Sequence, residues 1–311
     1  MENNEYVFRC NNIVKRYKDF RALDGLSMNV RKGEIYGFVG ENGSGKTTII
    51  RLITGLIFQN EGEFELFGVS SKDKNAICEA RRNIGAIVET PSIYQGFSLK
   101  DNMLLQGLIS NNTNPDKIKE VLELVGLYSL YNDKRRVLNY SLGMRQRLGL
   151  AMALLKEPKF IILDEPMNGL DPEGVVAMRN LILDLNQRRG ITFLISSHIL
   201  TELDLIATSY GIISHGKMVK EVTKEEVHQE LKSKTYVEVS DISKAVELLL
   251  PNYNISVDLN KIVIEGKIEK RELFNLLFSN GVEVIDIQES HSSIEEYYIN
   301  TLRGAQHDNL N

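Results

Sequence analysis

The stretch Gly40-Glu41-Asn42-Gly43-Ser44-Gly45-Lys46-Thr47, with Thr48 behind it, decides the fold. It fits the pattern GxxxxGK[ST]. An apolar run, Glu34–Val39, precedes it between Gly33 and Gly40, and a helical pattern, Lys46–Gly55, follows it. Strand, glycine turn and helix is the order this pattern needs. Glycines let the backbone curl so that successive N–H groups and the positive end of the helix point at phosphate oxygens without a Cβ in the way. In that geometry Lys46 reaches the β and γ phosphates, and the Thr47 hydroxyl binds Mg²⁺.

Further along, Phe160-Ile161-Ile162-Leu163 is an apolar strand ending in the acids Asp164 and Glu165. Ligands of α/β sheets gather at the carboxyl ends of strands, which places Asp164 near the metal and Glu165 opposite the γ phosphate, orienting or deprotonating the attacking water. A third apolar strand, Ile191–Ile195, leads into Ser196-Ser197-His198, where His198 can stabilise charge on the transferred phosphoryl group. Helical patterns at Ser141–Leu155 and Pro172–Arg189 alternate with these strands, so the sheet is read as parallel and buried on both faces.

The composition agrees with a soluble α/β protein. In 311 residues there are 37 Lys+Arg against 42 Asp+Glu, a net charge of −5, which disfavours disorder and a basic nucleic-acid binder. Arg81-Arg82, Arg145 and Arg147 are too few to make a nucleic-acid face and read as solvated helix charges. Cys10 and Cys78 lie far apart without CxxC spacing, so neither a disulfide framework nor a zinc site is expected, and a reducing compartment fits. The polar start Met1–Glu5 lacks the features of an export signal, and runs such as Ile191–Ile195 and Leu248–Leu250 fall well short of the ~18–20 residues of a membrane span.

From Tyr6 to Val222 the motifs, in their order, resemble the ATP-binding-cassette ATPases. Gly40–Thr48 matches the Walker A loop, Tyr140-Ser141-Leu142-Gly143-Met144 the signature, and Ile161–Glu165 the Walker B strand. Asn168-Gly169-Leu170-Asp171 matches the D-loop, His198 the switch histidine, and Tyr17, ahead of Ala22-Leu23, the aromatic that stacks on adenine. The resemblance implies an α/β phosphate-loop NTPase cassette with a RecA-like core, a helical subdomain and an N-terminal antiparallel β subdomain. It also implies ATP and Mg²⁺ as ligands and a head-to-tail pair of cassettes, in which Ser141, Gly143 and Asp171 of one copy face the triphosphate held by the other. Ser141 equally suits an N-cap of the helix that follows it.

Three residues depart from the commonest pattern: Leu142 stands where glycine is usual, Met144 where glutamine is usual, and Glu89 where glutamine ligates the metal. A carboxylate at Glu89 can still bind Mg²⁺. With YSLGMRQR at Tyr140–Arg147 and EPMNGLDP at Glu165–Pro172, the chain resembles the ATPase subunits of bacitracin-type and lantibiotic-type exporters. That resemblance implies a peripheral subunit on the cytoplasmic face of the membrane, working with a separate permease that meets the Glu89–Asn112 region at Pro91, Tyr94 and Phe97. Two other classes of function stay open on sequence: a cytosolic cassette ATPase that regulates or remodels a partner, and a non-enzymatic ATP-gated binding module.

The cassette is expected to span residues 1–222. The Lys- and Glu-rich Lys220–Lys234 reads as a linker, opening a 223–311 accessory segment. There Tyr236–Val239, Ile242–Leu250, Ile255–Asp258, Lys261–Glu265, Lys270–Leu277 and Val282–Ile287 read as β-α-β-β-α-β, closed by a helical Ser293–Leu302: a small α+β domain.

Overall fold

The computed structural model describes residues 5–231, 233–258, 261–266, 268–291 and 293–308; Met1–Asn4, read above as part of a non-exported terminus, lie outside them. The chain divides into two units, Met1–Thr223 and Lys224–Asn311. The first opens with a hairpin of β1 (Tyr6–Tyr17) and β2 (Phe20–Arg31). There follow β3 (Ile35–Val39), α1 (Lys46–Thr54), β4 (Glu61–Leu66), β5 (Val69–Ser70), α2 (Lys74–Ala80) and β6 (Ile84–Ile87). Three helices come next, α3 (Leu99–Ile109), α4 (Pro115–Leu124) and α5 (Leu142–Leu154). The unit is completed by β7 (Phe160–Asp164), α6 (Pro172–Arg189), β8 (Thr192–Ser197), α7 (Leu200–Asp204), β9 (Ser209–Ser214) and β10 (Lys217–Thr223).

Strands β3, β7 and β8 are buried along their whole length, the pattern of strands covered on both faces. They sit in a six-stranded sheet ordered β10-β9-β3-β8-β7-β6, parallel throughout except for β10 against β9. An antiparallel sheet, β2-β1-β4-β5, lies beside it. One core joins the two: Phe8, Leu26, Phe38, Ile49, Ile53, Phe64 and Phe160 pack together, so α1 is clamped between the sheets by its apolar face. The β2 and β10 edges are tied by Glu221, which accepts from Tyr36 Oη at 2.7 Å and from Asn29 N and Nδ2 at 2.9 and 3.2 Å. Burial, with Glu221 alongside, pushes the Tyr36 hydroxyl well above its ordinary pKa.

The second unit contains α8 (Lys224–Glu230), β11 (Ser233–Val239), α9 (Ile242–Leu249), β12 (Asn254–Asp258), β13 (Lys261–Glu265), α10 (Lys270–Ser279), β14 (Val284–His291) and α11 (Ile294–Asp308). Its sheet is antiparallel, ordered β12-β13-β11-β14. The core is its own: Val237, Val239, Leu249, Ile262, Leu273 and Leu277. The expected linker Lys220–Lys234 is corrected: its first residues finish β10, and the next seven form α8. Charged residues concealed an edge strand, where they are favoured because they discourage further pairing. Among the described residues no helix is long and apolar enough to cross a membrane.

Candidate functional site

Burial of β3 carries the chain straight into a loop that only glycine can build. A Cβ on Gly40 would lie 2.5 Å from Ser44 Oγ and 2.6 Å from Ile213 O. Gly45, the N-cap of α1, has φ +113°, and a Cβ there would meet Ala22 O at 2.8 Å. The loop is closed by Ser44 N donating to Glu41 O at 3.1 Å. Lys46, 6% exposed, folds its ammonium over the loop onto Gly40 O at 2.6 Å and Glu41 O at 3.2 Å. Ser44 Oγ is buried without a hydrogen-bond partner among the described residues. The result is a cradle of N–H groups, one ammonium and an orphaned hydroxyl, which fits a polyphosphate.

The strand order brings the acids to this cradle. β3 neighbours β8, β8 neighbours β7, and the register pairs Asp164 with Ser196. Asp164, 2% exposed, accepts from Thr47 Oγ1 at 3.0 Å and from Ser196 Oγ at 2.5 Å. Thr47 and Asp164 thus present two hard oxygen donors at the start of α1, a set suited to Mg²⁺, which takes one or two protein oxygens and completes its shell with phosphate and water. Among the described residues no group of three or more His, Cys, Asp or Glu could hold a metal ion by itself.

Glu165 carries φ +50°, a left-handed backbone unusual for a residue with a Cβ. Its N–H donates to Ser196 O at 3.1 Å and Oγ at 3.0 Å. One carboxylate oxygen lies 3.6 Å from Lys46 Nζ, and the other 2.7 Å from His198 Nδ1. The His198 N–H donates to that same oxygen at 3.3 Å. Lys46, Thr47, Asp164, Glu165 and His198 therefore form one connected cluster.

Tyr17, Phe20, Ala22, Asn42, Gly43, Gly45, Lys46, Thr47, Thr48 and Glu165 line a cavity of about 280 Å³. Tyr17 and Phe20 face each other at the hairpin tip, and Lys15 Nζ sits 5.2 Å from the Tyr17 ring centre. Phe20, 62% exposed, was not singled out from the sequence, although its place two residues before Ala22, directly across the turn from Tyr17, is a local signal. Ser196 and Arg51 were also missed as partners.

Other expected residues lie elsewhere. Ser141 caps α5 by accepting from Met144 N at 3.2 Å, and Asp171 caps α6 by accepting from Gly174 N at 3.0 Å. Neither they nor Gly143 lines the cavity. Leu142 and Leu170 are exchanged between the two caps: Leu142 Cδ2 would lie 3.2 Å from a Cβ on Gly169, and Leu170 Cδ2 3.6 Å from one on Gly143. Glu89 does not line the cavity; its carboxylate accepts from Arg51 Nη2 at 2.5 Å. Nor are the arginines all merely solvated: Arg81 donates to Ile53 O and Leu52 O at the end of α1, Arg145 to Tyr140 O, and Arg147 to Val125 O.

A family model described as "ABC transporter" matches residues 23–168. The bacitracin transport ATP-binding protein BcrA of Bacillus licheniformis is 39% identical over 307 residues, covering 96% of this chain and 98% of its own. The lantibiotic transport ATP-binding protein SrtF of Streptococcus pyogenes is 38% identical, over 69% of this chain and 90% of its own. Among solved structures, cbiO1 from Clostridium perfringens, part of the ABC transporter complex cbiONQ, superposes with a TM-score of 0.65 at 25% identity, covering 79% of this chain and 96% of that one.

Proposed function

The chain belongs to the ABC transporter family as an ATP-hydrolysing subunit that serves a separate permease, and from that premise we propose that it binds magnesium ATP between two copies of itself to drive export of a peptide antibiotic. The observation that carries the reading is the connected cluster of Lys46, Thr47, Asp164, Glu165 and His198 at the ends of adjacent strands. The cargo follows the BcrA and SrtF relatives, which are named for bacitracin and lantibiotic transport. Both are transport subunits, which favours transport over cytosolic remodelling.

In this reading the Gly40–Thr48 loop and Lys46 hold the phosphates, and Tyr17 and Phe20 hold the base. Thr47 and Asp164 would hold Mg²⁺, which would supply positive charge beside the phosphates. Glu165 orients and deprotonates the attacking water, and His198 steadies that carboxylate through its backbone N–H while its ring stabilises charge on the phosphoryl group. Ser141, Gly143 and Asp171 act from the second copy, so the pair closes on ATP and reopens when the γ phosphate leaves. The subunit sits on the cytoplasmic face of the membrane. Its permease contact is the Glu89–Asn112 region, where Tyr94 and Phe97 stack at 5.4 Å on the surface and the buried Asn102 fixes Tyr94 through its N–H and C=O. Residues 223–311 form the accessory α+β domain that BcrA also matches.

Two measurements test this. Purified protein with magnesium should hydrolyse ATP, faster once reconstituted with its permease. A deletion strain should become more sensitive to bacitracin or to a lantibiotic. Unchanged sensitivity to both removes the cargo assignment, and magnesium ATP left untouched removes the enzyme.

A further inference from the structure

At the amino ends of β3, β8 and β7, away from the glycine loop, the first unit holds a second cavity of about 680 Å³, against about 280 Å³ for the one at Tyr17 and Glu165, with which it shares no lining residue. Its rim is set by the chain as it enters the sheet. Lys32 leads into β3, Ile191 into β8 and Lys159 into β7, and the three entries are laced together: Gly33 N donates to Thr192 Oγ1 at 2.9 Å, and Thr192 N to Lys159 O at 3.1 Å. Because β8 lies between β3 and β7, the two lysines stand on either side of Ile191.

One wall is a chain of ion pairs. Lys117 Nζ lies 3.1 Å from the Glu120 carboxylate and 2.7 Å from that of Glu157, and Arg189 Nη2 lies 2.6 Å from Glu120, which ties α4 to the end of α6 and to the segment before β7. Two carboxylates thus serve two cations. Lys32 and Lys159 are exposed, and neither ammonium has a partner among the described residues, so two positive charges are left over. The rest of the lining is apolar: Val7, Leu154 and Ile191 are buried, and Phe67 joins them from the β4–β5 turn. Phe67 sits at φ +51°, unusual for a residue with a Cβ, with its N–H donating to Val7 O at 2.8 Å. A cavity of several hundred Å³ with an apolar lining and a few converging polar groups is the usual form of a small-molecule site, and a surplus of one sign of charge raises the local concentration of the opposite ion.

We propose that this cavity is a second ligand site, for a small organic anion with an apolar body: the anionic group lies between Lys32 and Lys159, and the body lies on Val7, Leu154, Ile191 and Phe67. The ligand is a free molecule, because reaching the three buried residues requires entry into the cavity, whereas a bilayer surface would reach the lysines alone. The site is separate from the nucleotide reading and does not depend on it.

Its test uses the full chain and anilinonaphthalene sulfonate, an apolar anion that fluoresces when bound, beside N-phenylnaphthylamine, the same molecule without its sulfonate. With magnesium ATP at saturation, the sulfonate should bind more tightly than the neutral analogue. Lys32→Gln/Lys159→Gln should raise the Kd of the sulfonate about two- to thirtyfold, the range for losing two exposed charge contacts, and leave the analogue unmoved. Both side chains are exposed and unpaired, so this variant keeps its fold. Lys100→Gln/Lys134→Gln removes the same charge from residues that do not line the cavity and should bind the sulfonate as the wild type does. Equal binding of the neutral analogue, a Kd unmoved in Lys32→Gln/Lys159→Gln or moved as far in Lys100→Gln/Lys134→Gln, or displacement of the probe by magnesium ATP overturns the inference. Flotation with phosphatidylglycerol vesicles that is lost in Lys32→Gln/Lys159→Gln overturns it too, by assigning the lysines to a bilayer.

Discussion

A glutamate in left-handed backbone costs about 1–3 kcal/mol, and Glu165 stays there because Ser196 takes its N–H while Lys46 and His198 hold its two carboxylate oxygens. The strain aims the carboxylate out of the sheet and into the cavity, where water and phosphate would meet. Glu165→Gln keeps the shape and removes the base, so hydrolysis should fall about 100- to 10,000-fold while ATP holds the protein as a dimer, read by phosphate release and size-exclusion chromatography. Wild-type turnover in this variant would remove Glu165 from the chemistry. Phe20 offers a separate check. An exposed phenyl at a hairpin tip is poorly placed for stability but well placed for a base, and Phe20→Ala should raise the Kd for ATP by roughly 5- to 100-fold, the loss of one base–aromatic contact, by calorimetry. Ser196→Ala would take from the buried Asp164 Oδ1 its hydroxyl donor, while the Glu165 N–H keeps Ser196 O, so unfolding free energy should drop by about 1–3 kcal/mol in denaturant titration.

Elements explain what the sequence could and could not disclose. The loop on β3 and α1, the acids on β7 and the histidine after β8 were legible because each lies within a few residues of an apolar run whose end fixes its place. Gly45 was readable for the same reason; Gly45→Ala at φ +113° should abolish tight ATP binding, since both strain and the Ala22 carbonyl oppose the new methyl. Contacts made across the fold were not legible. The Arg51–Glu89 pair and the Leu142–Gly169 packing join residues that no local period connects, so neither contact was expected and Leu142 was left as a departure. Strand β10 was missed for a different reason: Lys217, Lys220 and Glu221 hide its alternation, and its purpose emerges only when Glu221 is seen binding Tyr36 and Asn29 across the edge. The β-α-β-β-α-β order of the second unit was readable, but its 2-3-1-4 strand sequence was not, because pairing partners lie far apart in the chain.

At the scale of the whole molecule, each unit has its own core. Adding magnesium ATP at about 100 times its Kd should stabilise the first unit by about 2.7 kcal/mol and leave the second unmoved, giving one ligand-dependent and one ligand-independent transition in calorimetry. A single shifted transition would mean that the units melt together. The cavity proposed for ATP, meanwhile, is walled by the hairpin tip, the glycine loop and Glu165, with the turns at Ser141 and Asp171 capping helices of their own chain. Such a half-built pocket has a genetic corollary. Where sound and Glu165→Gln chains are made in equal amounts, random pairing leaves only about a quarter of the couples free of the defect, so one damaged allele should override a healthy one, and adding more of the healthy copy should restore the phenotype in proportion to the square of its share.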